Sequence, residues 1–516
     1  MKLLNWSDEE RAILEELLTP EEKEEMERME ASREVQSTEY LRPKYHYAAP
    51  LGASNDPNGL SYWKGYWHMF YQNNQGKGNW WGHAISKDLL HWRDLPVAIR
   101  QKNEKACFSG MVLIEEDRAI AAYFGVNIGI ILAVSTDPFL VHWEKLNDGE
   151  PIIPFQSPDP KKEPYTAFDP CLYKKGDTYV ILSGKFFVNP LTGKRDRDCF
   201  VFESKDLLHW QYKGTFFEND KFALAGDDSA CPYLVPFEDR YVFFNYSHFS
   251  GPKILAANLD NERNKLIITN AHPLTSTTSV MGGLLAPSAH PDQDGTVKAI
   301  YNIEHIENPG ADYKLFSLPF SVTLAGKNKN DIHIDVDKRV ESLRVAESHV
   351  EKKDILLKAN TVYYPEECFG DVIELSAEFE AKNIPMIEWK VMMSDDEDEY
   401  CAVRIFRQRG NTVHASFAPG FGYRRAHETV VQVDTTHSAK TGWVRTPDSQ
   451  SFYLPPEDKL NVRIFLDRSV IEVFVNDRTA FAVRLSPTAG KNQKMSILAR
   501  GDDLMINRLE SYRLEL

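Results

Sequence analysis

Two aspartates stand at matching points of the sequence, each followed directly by a proline. Asp56 lies in the segment "NDPNGL", and Asp169 lies in the segment "FDP". After each one come an apolar strand, a turn with Gly or Asp, and a second strand, in "GLSYWKGYWHMFYQ" and "CLYKKGDTYVILSG". Two carboxyl groups from distant parts of a chain can act together if the fold brings them to one place. One can attack a carbon atom while a second acid donates a proton.

The strand-turn-strand unit that follows each aspartate occurs five times. The other three units open at Phe108-Ser109-Gly110, Ala230-Cys231-Pro232 and Leu285-Ala286-Pro287. A period of about 50–60 residues with about four strands per unit is typical of a β-propeller. The repeat therefore predicts a five-bladed β-propeller. Equivalent points of two blades would bring Asp56 and Asp169 to a shared central channel.

A second repeat runs in register with the first. "SKDLLHW" occurs at 86–92 and again at 204–210, and "STDPFLVHW" at 135–143 is a looser copy. Each copy follows an apolar strand. A residue that recurs in every repeat is usually kept for packing, so we interpret His91, His142 and His209 as structural corners of the blades.

Composition narrows the class of partner. The formal net charge of −16 argues against nucleic acid and against an anionic membrane. The six cysteines are scattered without a Cys-x-x-Cys pair, which predicts buried free thiols in a reducing compartment and favours the cytoplasm. No metal-ligand spacing or nucleotide loop occurs, so we expect no metal and no cofactor. Aromatic residues beside polar ones suit sugar rings, and we expect a small or oligomeric carbohydrate partner.

The pattern of elements divides the chain into four parts. The segment 1–40 has two capping boxes and no basic-then-apolar leader, which predicts a short helical N-terminal extension. The propeller occupies 41–343, and a charged linker occupies 344–356. Short alternating strands over 357–516 predict an antiparallel β-sandwich, with a hairpin turn at Asn476-Asp477. The fold class is therefore all-β, and a homodimer is possible.

Several motifs together resemble glycoside hydrolase family 32, the group of invertases, inulinases and levanases. The resemblance covers about 45–516 and rests on "HY", "NDPNGL", "FYQ", "WGHAISKDLLHW", "FSG" and "DRSVIEVFVND". Family members cleave β-fructofuranosides with retention. The resemblance therefore implies that Asp56 is the nucleophile and that Asp169 orients sugar hydroxyls and stabilises the transition state. It also implies sugar contacts at Asn55, Gln72, Trp81 and Ser109.

The chain departs from the family in one region. The family has its acid/base glutamate immediately before Cys-Pro, where this chain has Ala230. The family arginine before Asp-Pro is replaced by Phe168, and Ala53 and Tyr233 replace a tryptophan and an aspartate. Phe168 takes away a bidentate donor and adds an apolar face beside Asp169. With Phe108 next to Ser109, Phe168 and Ala230 are expected to shape the substrate pocket.

Three explanations for Ala230 remain open from the sequence: a deliberate inactivation, a natural relative that uses another acid, or a binding protein that has lost catalysis. If the protein is an enzyme, Asp228 is the first candidate for the missing acid. Asp227, Glu304 and His248 are the other candidates. The alternative function is a non-catalytic or weakly active carbohydrate-binding or sensing relative. The candidate donors in place of the family arginine are Lys185, Arg195 and Arg197.

Overall fold

A computed structural model gives the architecture of the chain. It describes residues 6–76, 78–185, 191–274, 283–304, 313–380, 384–407, 412–413, 424–425, 428–439, 449–455, 458–488 and 493–516. Two helices come first, α1 (Asp8–Leu17) and α2 (Pro20–Gln36). Both begin with the expected capping box, in which Ser7 pairs with Glu10 and Thr19 pairs with Glu22.

The helical extension packs on the outside of the first sheet. Leu14, Met26 and Met29 share a buried apolar cluster with Ile85 and Leu95 of that sheet. The extension is also held by charge. The Arg33 guanidinium donates two hydrogen bonds of 2.8 Å to the Asp94 carboxylate, in a fork that only arginine offers. The N-terminal helices are therefore part of the folded body.

Five antiparallel sheets follow one another along the chain. The first contains β1 (Ala53–Trp63), β2 (Tyr66–Asn74), β3 (Asn79–Ser86) and β4 (Arg93–Ile99). The second contains β5 (Cys107–Ile114), β6 (Ala119–Gly125), β7 (Gly129–Ser135), β8 (Glu144–Lys145) and β9 (Ile153–Pro154). The third contains β10 (Pro170–Lys175), β11 (Thr178–Gly184), β12 (Cys199–Ser204) and β13 (Gln211–Thr215). The fourth contains β14 (Ala230–Phe237), β15 (Arg240–Ser247), β16 (Gly251–Asp260) and β17 (Lys265–Pro273). The fifth contains β18 (Leu284–Pro291), β19 (Val297–Ile303), β20 (Leu315–Phe316), β21 (Phe320–Ala325) and β22 (Asp331–Val336).

The first strand of each sheet lies against the first strand of the next. β1 contacts β5, β5 contacts β10, β10 contacts β14, β14 contacts β18, and β18 contacts β1, so the inner strands form a closed ring. This is the arrangement of a β-propeller. The predicted propeller is thus present, and both aspartates stand on or next to strands of the ring.

Tyr233 ties the ring together at its centre. Its buried hydroxyl accepts a hydrogen bond from Gly59 N (3.1 Å) and lies 2.9 Å from Ser288 Oγ. It donates to the Gly110 carbonyl (2.8 Å). Since these partners belong to three other inner strands, the tyrosine after Cys-Pro has a structural role in this chain.

The "SKDLLHW" repeat forms the same corner twice. In the copy at 204–210, Asp206 accepts hydrogen bonds from Ser204 Oγ (3.1 Å) and from His209 Nδ1 (2.8 Å). Asp88 in the copy at 86–92 accepts the equivalent bonds at 2.9 and 2.7 Å. The interpretation as structural corners is confirmed for His91 and His209. The His142 ring instead lies 3.1 Å from the Glu22 carboxylate of α2.

A two-layer sandwich forms the rest of the chain. One layer is ordered β23 (Val350–Leu357), β36 (Leu504–Arg513), β25 (Val372–Glu380), β32 (Leu460–Asp467), β33 (Val470–Val475) and β34 (Thr479–Arg484). The other is ordered β24 (Val362–Tyr363), β35 (Lys494–Arg500), β26 (Met386–Met393), β27 (Cys401–Phe406), β30 (Glu428–Asp434) and β31 (Gln450–Tyr453). A separate pair is formed by β28 (Thr412–Val413) and β29 (Arg424–Arg425). The predicted hairpin turn is present, with Asn476 and Asp477 both in the left-handed region (φ 53° and 50°).

The linker prediction needs correction. The segment 344–356 contains a short 3-10 helix (Ala346–Ser348) and most of β23, which pairs along its length with β36. The four consecutive charged residues of "VEKKD" lie on an edge strand, where charge protects the open edge. The sandwich therefore begins before residue 357. Among the described residues, no helix has the length and apolar character that a membrane crossing requires.

The propeller and the sandwich meet at a buried group of charges. Asp467 accepts hydrogen bonds from the backbone N–H groups of Lys44, Tyr45 and His46, at 2.6 to 2.9 Å. The His46 ring lies between two carboxylates, with Nδ1 2.9 Å from Asp467 and Nε2 3.2 Å from Glu472. The "HY" and "DRSVIEVFVND" motifs therefore contact each other and join the two domains.

Candidate active site

Asp56 lies on β1 in a group of polar side chains, which forms the candidate substrate pocket. The carboxylate is half-buried, and its Oδ2 accepts hydrogen bonds from Ser109 Oγ (2.6 Å) and Gln72 Nε2 (3.0 Å). Gln72 also donates to Ser109 Oγ (2.7 Å). Two donors from neighbouring strands fix the direction of this carboxylate. An oriented carboxylate with access to solvent has the form of a nucleophile.

Asp169 lies immediately before β10 and is only 3% exposed. Its Oδ2 accepts one backbone hydrogen bond, from Cys231 N (3.0 Å). Burial raises the pKa of Asp169 to about 7, and the negative charge of Asp56 acts in the same direction against the Cys231 N–H group and the His248 charge. A carboxyl group with this pKa is about half protonated at neutral pH.

Cys231 joins the two aspartates. Its Sγ lies 3.7 Å from Asp56 Oδ2 and 3.5 Å from Asp169 Oδ2, so both carboxylates reach one sulfur atom. Burial raises the pKa of the Cys231 thiol well above its ordinary value, which keeps the S–H group as a donor. The residue takes a left-handed backbone conformation (φ 47°), which is uncommon outside glycine and occurs often at functional sites.

Asn55 is held from the fifth sheet. Its Oδ1 accepts hydrogen bonds from Lys314 Nζ (2.7 Å) and from Asn302 Nδ2 (3.2 Å). The sequence did not identify Lys314 or Asn302, because no repeat or motif marks them. The only signal was the position of Asn302 in the apolar strand "AIYNI" of the fifth unit.

Trp81 lies behind the pocket. It is fully buried, and its indole N–H donates to the Phe108 carbonyl (2.9 Å). This contact supports the strand that carries Ser109. The structure therefore gives Trp81 a supporting position behind the pocket, whereas Gln72 and Ser109 touch Asp56 directly.

One wall of the pocket is apolar. Ala230, Cys231 and Ala286 form a buried cluster, and Phe168 and Tyr246 pack against it. Ala230 is the first residue of β14 and pairs with Tyr246 of β15. Two of the four positions that depart from the family, 168 and 230, thus belong to one cluster.

Aromatic rings continue from this wall. The centroid of the Phe124 ring lies 5.1 Å from that of Phe168, 6.3 Å from that of Phe108 and 5.7 Å from that of Phe155. Phe108 and Phe168, both expected in the pocket, therefore belong to one aromatic cluster. This cluster occupies the side on which the resemblance implied a charged donor.

The acid candidates have different partners. Asp227 is fully buried and accepts hydrogen bonds from Ser247 (2.8 Å) and the backbone N–H of Leu224 (2.8 Å), which is a structural role. Glu304 forms an ion pair with Lys314 (3.1 Å).

Asp228 is fully buried and accepts hydrogen bonds from Arg195 Nη1 (2.7 Å) and the backbone N–H of His248 (2.8 Å). A carboxylate with such donors acts as an acceptor. Of the three cations proposed to replace the family arginine, Arg195 thus joins this group. Arg197 pairs with Asp220 at 2.7 Å, and Lys185 lies 3.8 Å from Asp196.

One group of carboxylates has metal-like spacing in the described part of the chain. Asp292, Asp294 and Asp337 lie close enough to share an ion. The Lys298 ammonium occupies this group, 2.9 Å from Asp294 and in contact with Asp337, and Arg339 pairs with Asp292 (2.6 Å). Each carboxylate is thus paired with a cation, which explains the group as an ion-pair network.

Comparisons with known proteins agree with this architecture. The model of the glycosyl hydrolases family 32 N-terminal domain matches residues 46–279, and the model of the family 32 C-terminal domain matches residues 339–512. The ring of sheets and the sandwich therefore correspond to the two domains of this family. The chain belongs to glycosyl hydrolase family 32.

Individual relatives are distant. A levanase of Bacillus subtilis is 23% identical over 488 residues, which are 85% of this chain and 65% of the levanase. An insoluble β-fructofuranosidase of Arabidopsis thaliana is 30% identical over 197 residues, 35% of this chain and 32% of that protein. The chain thus spans less than two thirds of the length of either relative. The crystal structure of fructan 1-exohydrolase IIa from Cichorium intybus matches with a TM-score of 0.75 and 18% identity, over 92% of this chain and 98% of that one, which supports the fold.

Proposed function

We propose that this protein is a retaining glycoside hydrolase that acts on β-fructofuranosides or a related furanoside. The observation that carries the proposal is the meeting of Asp56 and Asp169 at Cys231, within a ring of five sheets that serve as the five blades of one propeller. The curated relatives named above are a levanase and a β-fructofuranosidase, which supports a fructoside as substrate.

In the proposed reaction Asp56 attacks the anomeric carbon and forms a covalent fructosyl intermediate. Its half-buried carboxylate is oriented for attack by Ser109 and Gln72. Asp169 orients sugar hydroxyls and stabilises the positive charge that develops on the ring. A ketose forms a tertiary oxocarbenium ion, so a nearby carboxylate stabilises the transition state effectively. Water then releases the sugar with its configuration retained.

The missing glutamate sets the chemistry apart from the family pattern. Ala230 offers no proton to the leaving oxygen, and Phe168 offers no hydrogen bond to a sugar hydroxyl. Positioned proton transfer is worth about 10²- to 10⁴-fold in rate. The protein therefore either takes its proton from another residue or acts on fructosides whose leaving group departs easily.

A panel of fructosides tests the proposal. Sucrose, inulin, levan and p-nitrophenyl β-fructofuranoside are incubated with the protein and with Asp56→Asn, and released sugar is measured. The proposal expects release from at least one substrate, with retained configuration by NMR, and a loss of that activity in the variant. Ala230→Glu is assayed beside them. A large gain on sucrose or inulin indicates an inactivated fructosidase, whereas no gain indicates a reshaped pocket.

The second candidate is a non-catalytic or weakly active protein that binds or senses carbohydrate. The apolar wall of Ala230, Ala286 and Phe168 favours it, because this wall has replaced the catalytic and binding groups of the family. Calorimetry with the same sugars separates the two functions. Saturable binding without sugar release after long incubation supports the second candidate and contradicts the first.

The partner and compartment complete the proposal. A net charge of −16 fits a neutral carbohydrate better than nucleic acid or an anionic membrane. The six cysteines are free and buried, which fits a reducing compartment such as the cytoplasm. Cell fractionation tests the compartment. Light scattering tests the homodimer, and the mass of a single chain would count against it.

A further inference from the structure

The edge of the fourth sheet places two polar residues directly beyond Ala230. Ala230 of β14 pairs with Tyr246 of β15. Asp228 and His248 lie two residues further along these two segments, and they contact each other. β14 begins at Ala230 and β15 ends at Ser247, so this pair lies just past the ends of the two strands, close to the position of the missing acid. The position is thus next to the site and outside the apolar wall.

Asp228 holds the His248 ring in one orientation. His248 Nδ1 lies 3.1 Å from Asp228 Oδ2 and 3.3 Å from Oδ1, and the His248 backbone N–H donates to Oδ1 (2.8 Å). The Arg195 guanidinium fixes the same carboxylate from another side (2.7 Å). A carboxylate at Nδ1 makes that nitrogen the donor to Asp228, so Nε2 is the nitrogen that can exchange a proton with a ligand.

The charges around His248 favour its protonated form. Burial opposes a charge on the ring, but the hydrogen bond and the negative charge of Asp228 outweigh it and raise the pKa of His248 above the ordinary value. The charge of Asp169 acts in the same direction and Arg195 acts against it. The ring is also next to the cluster at position 230, since its centroid lies 5.3 Å from that of Tyr246.

We propose that His248 supplies the proton that Ala230 cannot, with Asp228 as the residue that positions it. The inference rests on the proposed function and names the acid of that reaction. As Asp56 forms a bond to the anomeric carbon, the bond from that carbon to the leaving oxygen breaks. The Nε2 proton moves to this oxygen, which leaves as a neutral alcohol. In the second step Nε2 takes a proton from water while the water oxygen displaces Asp56.

Two substrates that differ in their leaving group test the role of His248. The glucose of sucrose would have to leave as an alkoxide unless its oxygen receives a proton, whereas p-nitrophenolate leaves without one. We expect His248→Gln to lower kcat/KM for sucrose by about 10²- to 10⁴-fold, and for p-nitrophenyl β-fructofuranoside by less than about 10-fold. Added imidazole should restore part of the sucrose activity of His248→Ala.

The positioning role of Asp228 has its own readout. Asp228→Asn removes the charge that keeps the ring protonated, so the alkaline limb of the pH profile for sucrose should move to lower pH, with a smaller loss at the optimum. His209→Gln is the matched control, because His209 Nδ1 makes the same contact with Asp206 (2.8 Å) at a surface corner. This control should change neither activity nor profile.

Three outcomes overturn the inference. A parent protein that hydrolyses no fructoside, the p-nitrophenyl compound included, ends both the proposed function and the inference. If the parent is active and His248→Gln lowers kcat/KM equally for both substrates, or for neither, the inference alone is wrong. If neither His248 variant folds, as judged by the absence of a cooperative unfolding transition, the pH profile of the parent protein tests the inference. An alkaline limb that is the same for both substrates contradicts proton donation by His248.

Discussion

Two pairs of carboxylates in this molecule differ in the group that lies between their members. Between the domains, His46 lies between Asp467 and Glu472 and contacts both with its ring nitrogens. In the propeller, Cys231 lies between Asp56 and Asp169 and contacts both with its thiol. An imidazolium ring brings a positive charge, whereas a thiol brings only a weak hydrogen bond.

The pKa values follow from this difference. Burial alone would lower the pKa of His46, but its hydrogen bonds to Asp467 and Glu472 raise it to about 9, so the ring is charged at neutral pH. At the other pair burial raises the pKa of Asp169 to about 7, and no cation within hydrogen-bonding distance of this carboxylate is found among the described residues. A cation therefore lies between the two carboxylates of the domain interface, whereas a neutral thiol lies between those of the propeller pair. Perturbed carboxyl groups of the second kind are common at functional sites.

The largest expected effect comes from the propeller pair. Asp56→Asn removes the nucleophile and preserves its shape, so the release of fructose from the best substrate should fall on the order of 10⁴-fold or more. Asp206→Asn is the matched control, since Asp206 caps a surface corner of the same propeller. Equal hydrolysis of p-nitrophenyl β-fructofuranoside by Asp56→Asn and the parent would show that Asp56 is not the nucleophile.

Removing the cation from the pair at the domain interface should lower the stability of the protein and leave its activity unchanged. His46→Gln leaves two buried carboxylates without a cation, so the free energy of unfolding in urea should fall by about 3–5 kcal/mol. His209→Gln, at an exposed corner, should change the free energy of unfolding by less than about 0.5 kcal/mol. If the two variants are equally stable, the charge on His46 does not hold the domains together.

The same interaction has a pH signature. The pKa of His46 is raised in the folded protein, from 6.5 to about 9, so its stabilisation is fully present below pH 6.5 and is lost as the pH rises through 9. The parent should therefore lose about 3 kcal/mol of stability over this interval, measured by urea unfolding at a series of pH values. His46→Gln should lack this slope, and a parent curve that is flat over the interval would contradict a charged ring.

The repeats explain why much of the fold could be predicted. A proline or glycine at the start of each unit and a turn between two apolar strands are local features, so the sequence carries them directly. The copies at 86–92 and 204–210 were interpreted as corners, and both form the same Asp–His hydrogen bond. The linker was mispredicted because charge along "VEKKD" marks an open sheet edge as well as a loop.

The site could be predicted only in part. Asp56 and Asp169 follow a motif, and their meeting follows from the ring of strands. The bridging role of Cys231, the support of Asn55 by Lys314 and the buried position of Trp81 depend on side-chain directions across different sheets. Such directions are not encoded at any fixed spacing. The pairing of Asp228 with His248 is a further case, since 20 positions separate them.

Stability also tests the charge on the propeller pair. The pKa of Asp169 is raised in the folded protein, from 3.8 to about 7, so the protonated form gives stability that is present below pH 3.8 and lost as the pH rises through 7. Asp169→Asn should remove this loss and raise the free energy of unfolding at neutral pH by roughly 2–4 kcal/mol, while lowering activity. A variant that is less stable than the parent at pH 7 would show that neighbouring groups stabilise the negative charge of Asp169.

The smallest expected effect comes from restoring a cation beside this pair. Phe168 contacts the cluster of Ala230 and Cys231, so the guanidinium of Phe168→Arg should lie near Asp169 and lower its pKa by about 1–3 units. Carbon-13 NMR of labelled aspartate carboxyl groups follows the titration directly. Phe168→Leu, which keeps the wall apolar, should leave the midpoint near 7. Equal midpoints in the two variants would show that burial alone sets this pKa. A lower midpoint only in the arginine variant would show that the absence of a cation at position 168 raises the pKa of Asp169. The propeller pair would then differ from the interface pair because only the interface pair has a cation, His46, beside its carboxylates.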